Sequence, residues 1–74
     1  MRYVTLEDGL RLVQEEHKVL KSDGLDPDGY ICFELGKGIC YEDGTVIGAS
    51  WHIALLVLNS MKCTKYYKFW VEDE

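Results

Sequence analysis

The sequence predicts an α+β domain with two helices packed on one face of a small antiparallel sheet, and three observations carry that prediction. Leu6, Leu10, Val13, His17 and Leu20 recur at helical spacing. From Tyr30 the period changes to two, with Ile31, Phe33 and Leu35 on one side and Tyr30, Cys32 and Glu34 on the other. The run Ser50 to Cys63 is apolar on both alternate sets, so a strand there has no solvent face unless it is central. Wound as a helix, it puts Trp51, Ala54, Leu55, Leu58 and Met61 on one side, with Ile53 and Val57 widening that side.

Seventy-four residues make one domain, residues 1–74. A chain this short buries only about 60% of its unfolded surface, so association into a homodimer is a plausible further source of stability. An apolar fraction of 47% supports a packed core and argues against a disordered chain. The formal net charge of −5 repels a phosphate backbone, so no direct nucleic-acid contact is expected and a basic protein surface is the better-matched partner. Residues 1–8 contain no uninterrupted apolar segment of the kind a signal peptide needs, and residues 51–58 are too short to span a bilayer. Three irregularly spaced cysteines, Cys32, Cys40 and Cys63, do not form a secreted disulfide framework, which points to reduced thiols and a cytoplasmic setting without membrane association.

In chain order, Thr5 is a candidate N-cap with Asp8 three residues on, and the first helix is expected from about residue 6 to 21. Glu7, Arg11, Gln14, Glu15 and Lys18 form its outer face, and Gly9 suits a close approach by a neighbour. Residues 22–29, SDGLDPDG, carry dense turn signals, with Gly24 as candidate C-cap. Strands are expected over 30–35, 39–42 and 45–47, with turns at Gly36-Lys37-Gly38 and at the two-residue hairpin signal Asp43-Gly44. Ser50 caps the second helix, which frays near Cys63-Thr64. A last strand, 65–71, turns Tyr67, Phe69 and Val71 inward and Tyr66, Lys68 and Trp70 outward, and Glu72-Asp73-Glu74 forms an acidic tail.

The order is α-β-β-β-α-β, and it becomes ferredoxin-like if residues 1–4 add a first strand. Without that strand, the first five elements resemble a double-stranded-RNA-binding domain in topology only. The second helix lacks a Lys cluster at its start and the net charge has the wrong sign, so no function transfers.

Chemical motifs are few. Residues 26–31 resemble the middle of an EF-hand calcium loop, with Asp26 and Asp28 as ligands around Gly29, but the loop's first and twelfth positions fall on Gly24 and Leu35. Asp23 and Glu34 have the end-to-end spacing, yet using them displaces the glycine; an Asp/Pro/Gly turn is the plainer reading, with calcium on Asp23, Asp26, Asp28 and Glu34 as the alternative. Zinc ligands usually come as close pairs, and Cys32, Cys40, Cys63, His17 and His52 offer none, although Cys32 and Cys40 approach each other across a hairpin. Buried small hydrophobes are the expected cysteine role. Cys40 with His52 is the one nucleophile–base pairing conceivable, with nothing to orient the base. Glu15/Glu16 and Glu42/Asp43 read as solvated charge, and Gly36-Lys37-Gly38 is too short to cradle a phosphate.

These considerations predict a non-catalytic interaction domain, with no cofactor, that acts as an inhibitor, adaptor or regulator of a partner with a basic surface. Its binding surface is expected on the sheet face away from the helices, at Tyr30, Glu34, Tyr66, Lys68 and Trp70, joined by Tyr41 or Cys40 according to register. A narrower version is mimicry of nucleic-acid charge to block a nucleic-acid-handling enzyme. The alternative function is a small ligand- or calcium-binding domain using the 23–34 loop.

Overall fold

Both helices start where a hydroxyl satisfies a free backbone donor. Thr5 Oγ1 accepts from the Asp8 N–H at 3.1 Å, and Ser50 Oγ accepts from the Ile53 N–H at 3.4 Å. The computed structural model describes residues 1–61 and 64–72. Its elements are β1 (Arg2–Val4), α1 (Leu6–Glu16), β2 (Leu20–Ser22), β3 (Ile31–Glu34), β4 (Gly38–Tyr41), β5 (Val46–Gly48), α2 (Trp51–Asn59), a single 3-10 turn (Thr64–Tyr66) and β6 (Phe69–Val71). The strands form one antiparallel sheet in the order β1-β6-β2-β3-β4-β5. The helices lie together over one face, closing a core of Leu10 and Val13 from α1, Ala54 and Leu58 from α2, and Leu20, Ile31, Ile39, Phe69 and Val71 from the sheet. This is the α+β arrangement the sequence predicts.

The first helix is shorter than expected. It stops at Glu16 because His17 adopts a left-handed conformation (φ 56°, ψ 33°), and the His17 and Lys18 N–H groups both turn back to the Leu12 carbonyl. That conformation costs a non-glycine residue about 1–2 kcal/mol. An edge-on contact of the His17 ring with Phe33, centroids 5.4 Å apart, recovers part of it. Beyond His17 the chain extends, and Leu20 and Lys21, expected as the end of a helix, join Ser22, expected in a turn, to form the central strand β2. Leu20 is fully buried there, as a helical stripe would also have required, so periodicity alone could not separate the two. Gly9 does serve a close approach: a Cβ on it would lie 2.6 Å from Leu20 Cδ1.

Residues 2–4 form a strand, but not beside the first hairpin. β1 and β2 run parallel, joined through α1, with β6 antiparallel between them. The last strand of the chain therefore locks the first element to the meander.

Other expectations fail at element ends. Leu35, assigned to the core, sits at the tip of the β3–β4 turn and is 87% exposed. The Asp43-Gly44 turn has a three-residue loop rather than two. Gly44 N–H bonds to the Tyr41 carbonyl at 2.9 Å, Tyr41 N–H bonds to the Thr45 carbonyl at 2.9 Å, and Gly44 takes φ 89°. α2 ends at Asn59, so Met61 leaves the apolar face and is exposed. Ile53 and Val57 are exposed as well, because a helix in a two-layer domain has only one side to bury. The expected last strand is shorter: Tyr66 belongs to the 3-10 turn, and Tyr67 lies half-exposed with its ring against Gly24, which is therefore not a helix cap. The helix end expected near Cys63-Thr64 falls at Asn59, and Thr64 opens the 3-10 turn; Cys63 itself and the tail residues Asp73-Glu74 lie outside the described residues.

Candidate functional site

The strand register decides which predicted site residues share a surface. Phe69 and Val71 point into the core, so Trp70 points away, and its lateral partners Tyr3 on β1 and Lys21 on β2 point the same way. The Tyr3 and Trp70 rings meet edge-on with centroids 6.0 Å apart, and Lys21 Nζ lies 3.6 Å from Glu72 Oε1. Extending the β2–β3 register by one residue sets Tyr30 beside Lys21. The outer face thus carries a Tyr3–Trp70–Lys21–Tyr30 row. Tyr3 was absent from the predicted site because only the pairing of β1 with β6 puts it there.

The remaining predicted residues scatter. Tyr41 pairs with Ile31 and so faces the helices, in a cleft of about 320 Å³ shared with Leu25, Leu58, Tyr67 and Phe69. Burial, and then the charges of Glu42 and Asp43, push its hydroxyl pKa up. The register question is resolved in favour of Cys40 on the outer face. Tyr66 is highly exposed on its 3-10 turn, outside the sheet, with Lys65 Nζ 5.1 Å from its ring centroid. Lys68 lies at the entry to β6, where its N–H donates to Asp23 Oδ1 at 2.9 Å.

That bond gives Asp23 a place in the architecture. With the reciprocal Asp23 N–H to Lys68 carbonyl bond at 3.3 Å, it ties the 23–29 turn to β6. Glu34 points toward Lys37 at 3.3 Å. No three of Asp23, Asp26, Asp28 and Glu34 bring carboxylate oxygens within 4.8 Å of one another. The one such cluster among the described residues consists of Cys32, Glu34 and Cys40. Cys32 and Cys40 are direct cross-strand partners with free thiols 3.9 Å apart. Cys40 is completely buried, which pushes its pKa from 9.0 up to about 11, assisted by the hydrogen bond and charge of Cys32. His52 does not meet Cys40 but stacks on Trp51 at 3.7 Å, with Arg11 5.6 Å from the Trp51 ring on the α1 side. His17 is held by Phe33, and Cys63 lies outside the described residues.

Sequence reasoning missed the outward side of α2. Ile53, Leu56 and Val57 are 48%, 73% and 42% exposed, at i, i+3 and i+4 spacing on one surface, and the helix carries no Asp, Glu, Lys or Arg. The signal was present in the run itself, where His52 and Asn59 are the only polar residues of α2. No helix among the described residues is long and apolar enough to cross a membrane. Comparison of the chain with protein-family models, curated proteins and solved structures finds no match.

Proposed function

We propose that this chain is a non-catalytic protein-binding domain, and that its partner seats on the outward face of α2. The observation that carries this reading is the exposed Ile53/Leu56/Val57 stripe on a helix without charges, in a protein whose net charge is −5. Apolar surface of this kind is stabilised by burial at about 25 cal/mol per Å². The acids of α1 and the loops (Glu7, Asp8, Glu15, Glu16, Asp26, Asp28, Glu42) are exposed and favour a partner with a basic surface. In this reading the chain is an inhibitor, adaptor or regulatory domain of the cytoplasm whose binding centre is the helix rather than the sheet. Mimicry of nucleic-acid charge is the narrowest form of this reading. The split β1-α1-β2 unit is the part of the sheet we compare with ferredoxin-like domains.

The Tyr3–Trp70 pair supports a second binding surface, the outer sheet face, and the two are separable. Immobilised wild-type protein, Leu56→Glu and Trp70→Ala, each shown to be folded by circular dichroism, are used to capture proteins from the native host. The partner should be retained by Trp70→Ala and lost by Leu56→Glu. The opposite pattern moves the site to the sheet. Sedimentation of the purified chain that shows dimers abolished by Leu56→Glu identifies the occupant as a second copy.

A further inference from the structure

We propose that Cys32, Cys40 and Glu34 form a tetrahedral site for a zinc-class divalent ion on the outer face of the β3–β4 hairpin. This departs from the expectation of no cofactor and rests on the hairpin's own geometry, independently of the α2 surface.

The register supplies the donors. Cys32 and Cys40 are opposite each other on adjacent strands, and Glu34, two residues beyond Cys32, projects from the same side of β3. The donor atoms all lie within 4.8 Å of one another. The spacing fits the ion: two sulfurs each about 2.3 Å from a tetrahedral centre stand roughly 3.8 Å apart, and the Sγ–Sγ distance is 3.9 Å. The thiols are thus already at the edge length of a zinc tetrahedron, and a Glu34 carboxylate oxygen lies within 4.8 Å of both sulfurs. Two thiolates and one carboxylate make a borderline-soft set that favours zinc over calcium or magnesium.

Charge balance supports the same assignment. A dication with two thiolates and one carboxylate carries one net negative charge, and the Lys37 ammonium, 3.3 Å from Glu34 Oε2, offsets it while leaving Oε1 for the ion. Each thiol must release its proton to solvent as its sulfur takes the metal. Three protein donors leave the fourth position for water or for a group on a partner.

The test is a titration of the full chain, reduced and stripped with chelator, with Co²⁺ as spectroscopic probe. One equivalent should saturate a thiolate-to-cobalt charge-transfer band, and Zn²⁺ should bleach it. Cys32→Ser, at a half-buried position and checked for folding by circular dichroism, should abolish the band. Glu34→Gln should weaken binding by about tenfold or more, and Cys63→Ser should leave it intact. Absence of the band in the wild-type chain, its survival in Cys32→Ser, its loss in Cys63→Ser, or formation of a Cys32–Cys40 disulfide in preference to metal uptake under these reducing conditions overturns the proposal.

Discussion

The side-chain carbonyl of Gln14 accepts a hydrogen bond from the Trp51 backbone N–H at 2.7 Å, and so joins the last part of α1 to the first residue of α2. The N–H groups of a helix's first turn have no partner within the helix, and this one is supplied from 37 residues away. Gln14→Ala leaves a part-buried donor unsatisfied and is expected to cost about 1–2 kcal/mol in urea unfolding. Gln14→Glu keeps an acceptor in place and should recover most of that loss. Equal losses in the two variants would show that packing rather than the hydrogen bond matters.

Gly9 and Leu20 form a second cross-element dependence. Alanine at position 9 gains about 1 kcal/mol in helix propensity but sets its Cβ against a fully buried Leu20. Overpacking costs about 1–3 kcal/mol, so Gly9→Ala should be destabilising by about 1 kcal/mol overall. Leu20→Val removes the clashing methyl carbon. It should therefore cost less in the Gly9→Ala background than in wild type, and additive effects in the double-mutant cycle would refute the contact.

The parts of the fold that local chemistry specifies were legible in the sequence. Thr5 and Ser50 announce their helices because capping needs only residues three apart, and the 31–41 hairpin follows from alternation and glycine turns. What escaped depends on partners distant in sequence. β2 is a strand because β6 returns from residues 69–71 to pair with it, and nothing within residues 18–22 signals that return. The same pairing of β6 with β1 brings Tyr3 to Trp70 and completes the aromatic row. Tyr41 was left undecided between faces because one residue of register reverses a strand's sides. The outward stripe of α2 was visible as residues but not as surface, since only the two-layer architecture shows which side of the helix stands exposed.

On that stripe, Leu56→Glu changes a side chain already 73% exposed. The melting temperature should shift by no more than about 4 °C, as for an ordinary surface substitution, while partner affinity falls by at least tenfold. Wild-type affinity should also weaken as salt is raised, because exposed charges are screened beyond about 8 Å at physiological ionic strength. Affinity that is unchanged between low and high salt would remove both the basic-surface expectation and the charge-mimicry version.

Asp23→Ala distinguishes a structural aspartate from a calcium ligand. It deletes the acceptor of the Lys68 N–H at 2.9 Å and leaves the backbone bond from the residue 23 N–H to the Lys68 carbonyl to hold the 23–29 turn to β6. The expected loss is about 0.5–1.5 kcal/mol, with the melting temperature of wild type and variant alike unaffected by added calcium. A calcium-dependent rise in the wild-type melting temperature that disappears in the variant would restore the ligand reading.

The Cys40 thiol sets a dependence on alkaline pH. Its pKa rises from 9.0 to about 11 on folding, mainly through burial. Below pH 9 the thiol is protonated in both states and costs nothing. Between 9 and 11 the unfolded chain ionises while the folded chain holds its proton, so stability is lost as pH rises through this window and levels off above it. Two units correspond to at most about 2.7 kcal/mol, and relaxation around the hairpin should reduce the observed loss to about 1–2 kcal/mol. Urea unfolding of the reduced, metal-free chain across this range, compared with Cys40→Ala, isolates the term. Burial also raises the Tyr41 pKa, so a shallower loss persists in the variant and should vanish when Tyr41→Phe is added. If Cys40→Ala and wild type lose stability in parallel, the buried thiol is not the titrating group.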